Sequence, residues 1–472
     1  MKKTKKYIKN TVLTLLITLL VLSPFVFVFS TVVFLPPQFE SDFEAALGKK
    51  YDRLNSIEGE KIVVVGGSSV AFGLDSEMLE KYAEKPVVNF GLYAALGTKL
   101  MLDLSLSGIG EGDTVVLAPE LDEQTLSMYF SAHHTLIALE SSPEILRFIP
   151  KENKYSLLGG IWKFSAEKIR RLLDGTPEPE GVYNSKNINE YGDIEYQRAE
   201  NVMERYYNPA KPIKLSPQIA APDFLDYIND YIRECESRGA HVVFTYPPMN
   251  SLAISPEHDP YEFEKFLIDN LECDVISFID DYILDPGYFY DTDFHLNDTG
   301  VVLRTRQLAI DLGYSEATAQ EKPDAPPLPE KDTLFDGYDE NEKYFIYETA
   351  QNGAKEIVGL TDEGKAKETL TIPTGAEGYK VTTLNTSAFD GSSVKKIIVT
   401  EDTNLRQLTG DGFGASNVSD IYFYYDWGGD DGKAVAPIED LSHVTIHVKT
   451  GVYWPTSYLW NGVNAKFVYD LD

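Results

Sequence analysis

The sequence predicts an α/β domain on a parallel sheet, preceded by a membrane-spanning segment and followed by a small β-rich repeat region. Three observations predict this. Short β-branched runs alternate with helix-like segments between residues 61 and 312. An uncharged apolar run from Thr11 to about Leu35 follows five lysines, Lys2, Lys3, Lys5, Lys6 and Lys9. A 24-residue spacing recurs near the C-terminus.

The apolar run is long enough to cross a hydrocarbon core of roughly 30 Å. Lysines before it would hold the N-terminus in the cytoplasm and leave the bulk of the chain outside. The length of the run and the lack of a small-x-small cleavage site favour an uncleaved anchor over a signal peptide. Residues 1–40 are thus read as a Lys-rich tip and anchor.

Residues 55–315 form the α/β unit. Lys61 to Val65 is a run suited to a strand buried on both faces, and it ends in Gly66-Gly67. A helix is expected over Asp75–Ala83 with Asp75 as N-cap, then a strand over Pro86–Asn89 and a helix over Gly97–Leu106. Asp113–Leu117 is a third strand. An insertion, about 150–217, is rich in Tyr, Asn and charge and has weak periodicity. Phe224–Ser237 is helical, His241–Phe244 a strand, Tyr261–Leu271 a helix, Asp274–Phe278 a strand and Gly300–Leu312 a closing helix. Such alternation places helices on both faces of a parallel sheet.

Residues 316–335, with Pro323, Pro326, Pro327 and Pro329, read as an extended linker. Beyond them, in 336–472, AFDGSSVKKIIV (388–399) recurs as GFGASNVSDIYF (412–423). Phe389 and Phe413, Val394 and Val418, and Ile397 and Ile421 are each 24 residues apart, and Ile446 follows Ile421 by 25. One strand per fixed period indicates a solenoid. The aromatic run Tyr422–Tyr425 suits either a glycan platform or, more simply, a strand with one buried face.

Composition narrows the function. The 472 residues carry a formal charge of −32, which argues against nucleic acid and anionic lipid headgroups as partners. The only basic cluster noted lies at the extreme N-terminus. Cys235 and Cys273 would either pair outside the cytosol or stay as buried thiols. No Cys or His cluster has metal-site spacing, and no cofactor is implied.

The chemistry gathers at two strand ends. The first strand runs into Gly66-Gly67-Ser68-Ser69, which places the Ser69 hydroxyl where α/β folds bind ligands. A phosphate-binding loop also suits Gly and Ser there, but it would want a lysine, and none follows before Lys81. A nucleophilic serine needs a base. Of seven histidines, His295 stands apart. It follows the last strand and is flanked by Asp291 and Asp293, either of which suits the role of orienting the imidazole. A solvated acidic turn capping the last helix is the plainer reading of that segment.

Gly67-Ser68-Ser69-x-x-x-Gly73 resembles the first block of the SGNH (GDSL-like) hydrolases, with Ser68 in place of an Asp. Asn89-Phe90-Gly91 resembles the second block, and His295 the histidine of the last. The resemblance covers about 61–313. It implies a flavodoxin-like three-layer fold, Ser69 as nucleophile, His295 as base and Gly91 with the Ser69 N–H as oxyanion donors. The anchor, Ser68 and the segment Tyr246–Asn250 are similar to the branch of DltD-like and alginate-acetylation-like proteins. That branch implies an esterase or O-acyltransferase acting on an acylated surface polysaccharide or other envelope ester. Two positions depart from the pattern. Thr292 stands where the family has its Asp, so Asp293 is narrowly preferred and Asp291 is the other candidate. Glu120 lies where the third block supplies an Asn donor; it would contact substrate or be a solvated strand end. The C-terminal repeats, with Ile372-Pro373 and Gly378 to Val381, resemble BspA-type leucine-rich repeats, which implies a possible envelope protein partner. A degenerate, non-catalytic scaffold is the competing reading.

Overall fold

The computed structural model describes residues 2–472 except 93, 176–178, 180, 204, 209–210, 330–333, 351–352, 425–437, 439, 450–463 and 472. The chain divides into two compact units. One comprises 1–201 and 213–327, the other 202–212 and 328–472.

In the first unit, α1 (Lys2–Phe34) contains a 22-residue stretch, Thr11–Val32, long and apolar enough to cross a membrane. After α2 (Ala46–Ser56) comes β1 (Ile62–Gly66), then the short α3 (Ser68–Ala71) and α4 (Ser76–Ala83). Asp75 caps α4 by accepting the Met78 N–H. Then follow β2 (Val87–Gly91), α5 (Thr98–Ser105), β3 (Thr114–Ala118), α6 (Ala132–Glu140), α7 (Lys151–Asp174) and α8 (Pro222–Ser237). The unit closes with β4 (His241–Phe244), β5 (Met249–Asn250), α9 (Pro260–Asn270), β6 (Asp274–Val275), β7 (Ile283–Leu284) and α10 (Asp298–Asp311).

The main sheet is wholly parallel, in the order β2-β1-β3-β4-β6. Its central strands β1 and β3 are almost wholly buried, as their β-branched runs require. Ile62, Val64 and Val116 pack on one face with Leu79 of α4 and Leu308 and Ala309 of α10. On the other face α5 lies along β1 and α8 along β4. Gly66, Gly91 and Ala118 stand side by side in register, so β1, β2 and β3 end at one level. In this strand order the chain reverses direction between β1 and β3, which opens a crevice beyond the strand ends.

The weakly periodic insertion holds α7, a 24-residue helix with one buried side. One expectation needs correction: the fifth strand shrinks to Asp274–Val275, because Ile279–Tyr282 already turns into a 3-10 helix. Residues 321–329 have no regular structure, and within the first unit Tyr288 OH donates to the Pro323 carbonyl at 2.7 Å. Cys235 and Cys273 are both free.

The second unit comprises β8 (Phe345–Thr349), β9 (Lys355–Leu360), β10 (Thr369–Thr371), β11 (Gly375–Ala376), β12 (Tyr379–Asn385), β13 (Lys396–Val399), β14 (Gln407–Thr409), β15 (Asp420–Phe423), β16 (Asp440–Lys449) and β17 (Asn464–Leu471). One sheet, β10-β13-β15-β16-β17, is parallel throughout. Ile397 faces Ile421, and Ile421 faces Ile446, so the sequence period is the strand-to-strand register. Phe389 and Phe413 stack inward with ring centroids 5.6 Å apart. A second sheet mixes parallel pairs with the antiparallel pairs β8/β9 and β11/β12. Phe423 is buried and Tyr422 stacks on His447, the arrangement of a strand with one inward face. Tyr425 lies outside the described residues.

Candidate functional site

Ser69 sits in the first turn of α3, directly beyond β1. Gly67, the N-cap, brings no side-chain acceptor to the start of this turn. A carboxylate from beyond β3 takes that place: Glu120 Oε1 accepts the Ser69 N–H at 2.6 Å and the Ser68 hydroxyl at 3.2 Å. Glycine at 67 leaves room for this carboxylate: a Cβ there would lie 2.0 Å from Glu120 Oε2 and would force that side chain to move. Glu120 is buried, not a solvated strand end, and burial raises its pKa. Its Oε2 has no hydrogen-bond partner, and neither has the buried Ser69 Oγ.

His295 follows the isolated turn 291–294. Thr292 builds that turn: its Oγ1 accepts the Phe294 N–H at 3.3 Å and the His295 N–H at 3.1 Å. The orienting carboxylate is Asp291, whose Oδ1 lies 2.8 Å from His295 Nδ1. The preference for Asp293 is corrected. Its Oδ1 accepts from Asn250 Nδ2 and its carbonyl from the Asn250 N–H, which ties it to β5. The imidazole lies flat on Phe72, centroids 3.8 Å apart at 8°, and Phe72 immediately follows α3. The histidine is thereby held against the residue that ends the helix bearing Ser69.

Three residues of the insertion complete this arrangement, and the sequence offered no signal for them. Tyr183 OH donates to Asp291 Oδ2 at 2.6 Å. The buried Arg198 guanidinium lies 5.4 Å from the centre of the Phe72 ring, and its Nε donates to the Leu296 carbonyl. Asp193 binds the Ser76 N–H and hydroxyl and accepts from Asn89 Nδ2 at 2.8 Å. Their sequence distance from Ser69 and His295 hides all three from motif reading.

Gly91 has a double constraint. A Cβ there would meet Val70 Cβ at 2.3 Å, so the glycine lets β2 approach α3. Its N–H donates to Asn89 Oδ1 at 3.2 Å. Asn89 is itself held by Lys50, whose ammonium donates to both oxygens of that residue at 3.2 Å. Lys50 is fully buried, and desolvation pushes its pKa down to about 7. The two expected oxyanion donors, Ser69 N–H and Gly91 N–H, thus both donate to side chains of the protein.

No family model, curated protein or solved structure matches this chain. The geometry alone therefore carries the functional reading. The remaining histidines have structural partners or surface places: His133 pairs with Glu167, His134 with Glu44, and His447 with Asp420 and Asp470. His295 contacts Asp291 and Phe72, and Phe72 lies three residues beyond Ser69 in the chain.

Proposed function

We propose that this chain is a membrane-anchored, extracytoplasmic serine esterase or O-acyltransferase of the SGNH type, acting on an acylated cell-envelope glycan. One observation carries the reading. His295 is gripped at Nδ1 by Asp291 and laid on Phe72, the residue that ends the short helix bearing Ser69, at the reversal point of a parallel sheet. With Nδ1 engaged, Nε2 is the nitrogen left to take the serine proton.

In this mechanism Ser69 Oγ attacks the ester carbonyl as its proton passes to His295. The tetrahedral intermediate collapses, the C–O bond to the glycan breaks and the sugar oxygen takes that proton. Water or a second sugar hydroxyl, deprotonated by the same imidazole, then attacks the acyl-serine; the acyl C–O bond to Ser69 Oγ breaks, Oγ takes the proton back from His295, and the free acid or the new sugar ester leaves. The Ser69 and Gly91 amides would hold the oxyanion once released from Glu120 and Asn89. The C-terminal unit, with its 24-residue strand register, fits a leucine-rich-repeat-like module that contacts the wall or an envelope protein.

A specific observation favours the second reading, a degenerate SGNH scaffold. A carboxylate occupies the Ser69 amide, where an incoming oxyanion would be repelled. Turnover separates the two. Release of acetate from acetylated glycan oligomers by the parent, with an acetyl group trapped on Ser69 and neither event in Ser69→Ala, is the expected result. Equal release by parent and Ser69→Ala would refute the enzyme reading.

A further inference from the structure

Helix α7 carries a surface that the proposed chemistry does not use. Tyr155, Leu158, Trp162 and Leu173 are 64%, 62%, 48% and 77% exposed. At 3.6 residues per turn they lie on one side of the helix, with the exposed Gly159 and Ala166 among them. The opposite side is buried through Leu157, Phe164 and Lys168, the last paired with Glu140 at 2.7 Å. An exposed apolar stripe of this kind needs a partner.

Its neighbour in the fold indicates which. α7 packs on the C-terminal third of α1: the Phe25 and Trp162 rings meet edge to face at 5.7 Å, and Ser165 Oγ donates to the Val28 carbonyl. Phe25 and Val28 lie inside the Thr11–Val32 stretch. Phe25 precedes Val32 by seven residues, roughly 10 Å along a helix axis. If α1 spans a bilayer, Trp162 therefore sits at the depth where interfacial helices bury their apolar side. Charge agrees. Residues 147–171 hold seven Lys and Arg against two Glu, in a chain of net charge −32. Lys151, Lys163 and Arg170 are exposed along this helix. The acidic total therefore does not describe this surface, and the N-terminal lysines are not the only basic cluster in the sequence. Tyr and Trp beside Lys and Arg is the composition of a membrane interface.

We infer that the Tyr155–Leu173 side of α7 lies in the headgroup–acyl boundary of the leaflet from which α1 emerges, and seats the α/β unit against that leaflet. The inference rests on α1 being a membrane anchor. It is tested with the full chain, Cys235 and Cys273 replaced by Ser, in vesicles of phosphatidylcholine and phosphatidylglycerol. Single variants Tyr155→Cys, Leu158→Cys and Trp162→Cys carry an environment-sensitive fluorophore, with Val21→Cys as the label within the span and Lys265→Cys as the solvent label. The expected result is a blue shift and quenching by lipid-borne nitroxide at 155, 158 and 162, as at 21, with iodide quenching confined to 265. Iodide quenching at the α7 positions while 21 remains lipid-quenched would overturn the inference and leave the anchor standing. Shielding of the α7 labels from both quenchers would overturn it in favour of a protein partner, a second copy included. A label at 21 that nitroxide does not reach would remove the anchor and the inference together.

Discussion

Glu120 Oε1 accepts the backbone N–H of Ser69 at 2.6 Å, so a carboxylate holds the amide that an ester oxyanion would need. A charge-assisted bond of this kind is roughly twice as strong as a neutral one. Glu120→Gln keeps the shape and removes the charge. The variant is expected to raise the rate of Ser69 acylation by about tenfold or more, a modest part of the roughly 10²–10³ that one oxyanion donor supplies. Acylation kinetics with a short-chain aryl ester check this; a rate at or below the parent's would show that Glu120 is not the obstacle.

The same carboxyl sets a pH dependence. Burial raises its pKa, so the neutral form that releases the Ser69 amide more easily is lost as pH rises through that raised value. Parent acylation should therefore fall on the alkaline side relative to Glu120→Gln. Stability follows the same sign. The native state binds this proton more tightly than the unfolded chain, so its contribution is present at low pH and fades as pH rises from the ordinary glutamate range through the raised value. Glu120→Gln should remove that slope in melts recorded against pH.

Asp291 and Asp293 flank one histidine and do different work. Asp291→Asn disrupts the hold on Nδ1 and should lower acylation by about 10²-fold or more. Asp293→Asn loosens the link to Asn250 and should cost far less in rate than Asp291→Asn. Parallel kinetics on the two variants decide the assignment; the reverse order would return the orienting role to Asp293.

Lys50 holds the strand end that carries Gly91. Lys50→Met leaves the Asn89 carbonyl, its side-chain oxygen and the Gly192 carbonyl without that donor, and should destabilise the unit by about 3 kcal/mol. Because burial lowers the lysine pKa to about 7, the unfolded chain binds this proton between about 7 and the ordinary lysine value of 10.5 while the native state does not. Parent stability should rise with pH across that window, and the rise should vanish in the Met variant. Denaturant melts at several pH values test both.

In the C-terminal unit, Phe389 and Phe413 are buried against each other one repeat apart. Phe389→Ala should cost about 3–5 kcal/mol, the range for a large aromatic removed from a core. A change below 1 kcal/mol by calorimetry would mean that the stacked register does not carry the stability of that unit.

Much of this architecture was legible in the chain because it rests on local pattern. The runs at 62–66 and 114–118 suit buried strands, Asp75 caps its helix as its position suggests, and the 24-residue period is the register of β13 on β15, stretched to 25 at β16. Ser69 and Glu120 drew attention because they were expected at strand ends, where β1 and β3 do end, whereas His295 follows a 3-10 turn and a loop. What was not legible depends on distant segments. Tyr183 meets Asp291 across 108 residues, and Asp193 meets Asn89 across 104, both from an insertion whose own pattern named no chemistry. The choice between Asp291 and Asp293 turns on Thr292, whose hydroxyl winds the loop so that position 291 faces the ring. The stripe on α7 was hidden because its apolar residues are broken by lysines and by Gly159-Gly160.

The measurement that bears most directly on the central claim is labelling of the full chain by a fluorophosphonate probe, read by peptide mapping, for the parent, Ser69→Ala, His295→Ala and Glu120→Gln. The account predicts an adduct on Ser69 that is absent from Ser69→Ala, strongly reduced in His295→Ala and faster in Glu120→Gln. A folded protein that forms no Ser69 adduct, in the parent or in Glu120→Gln, from acid to mildly alkaline pH, would contradict it.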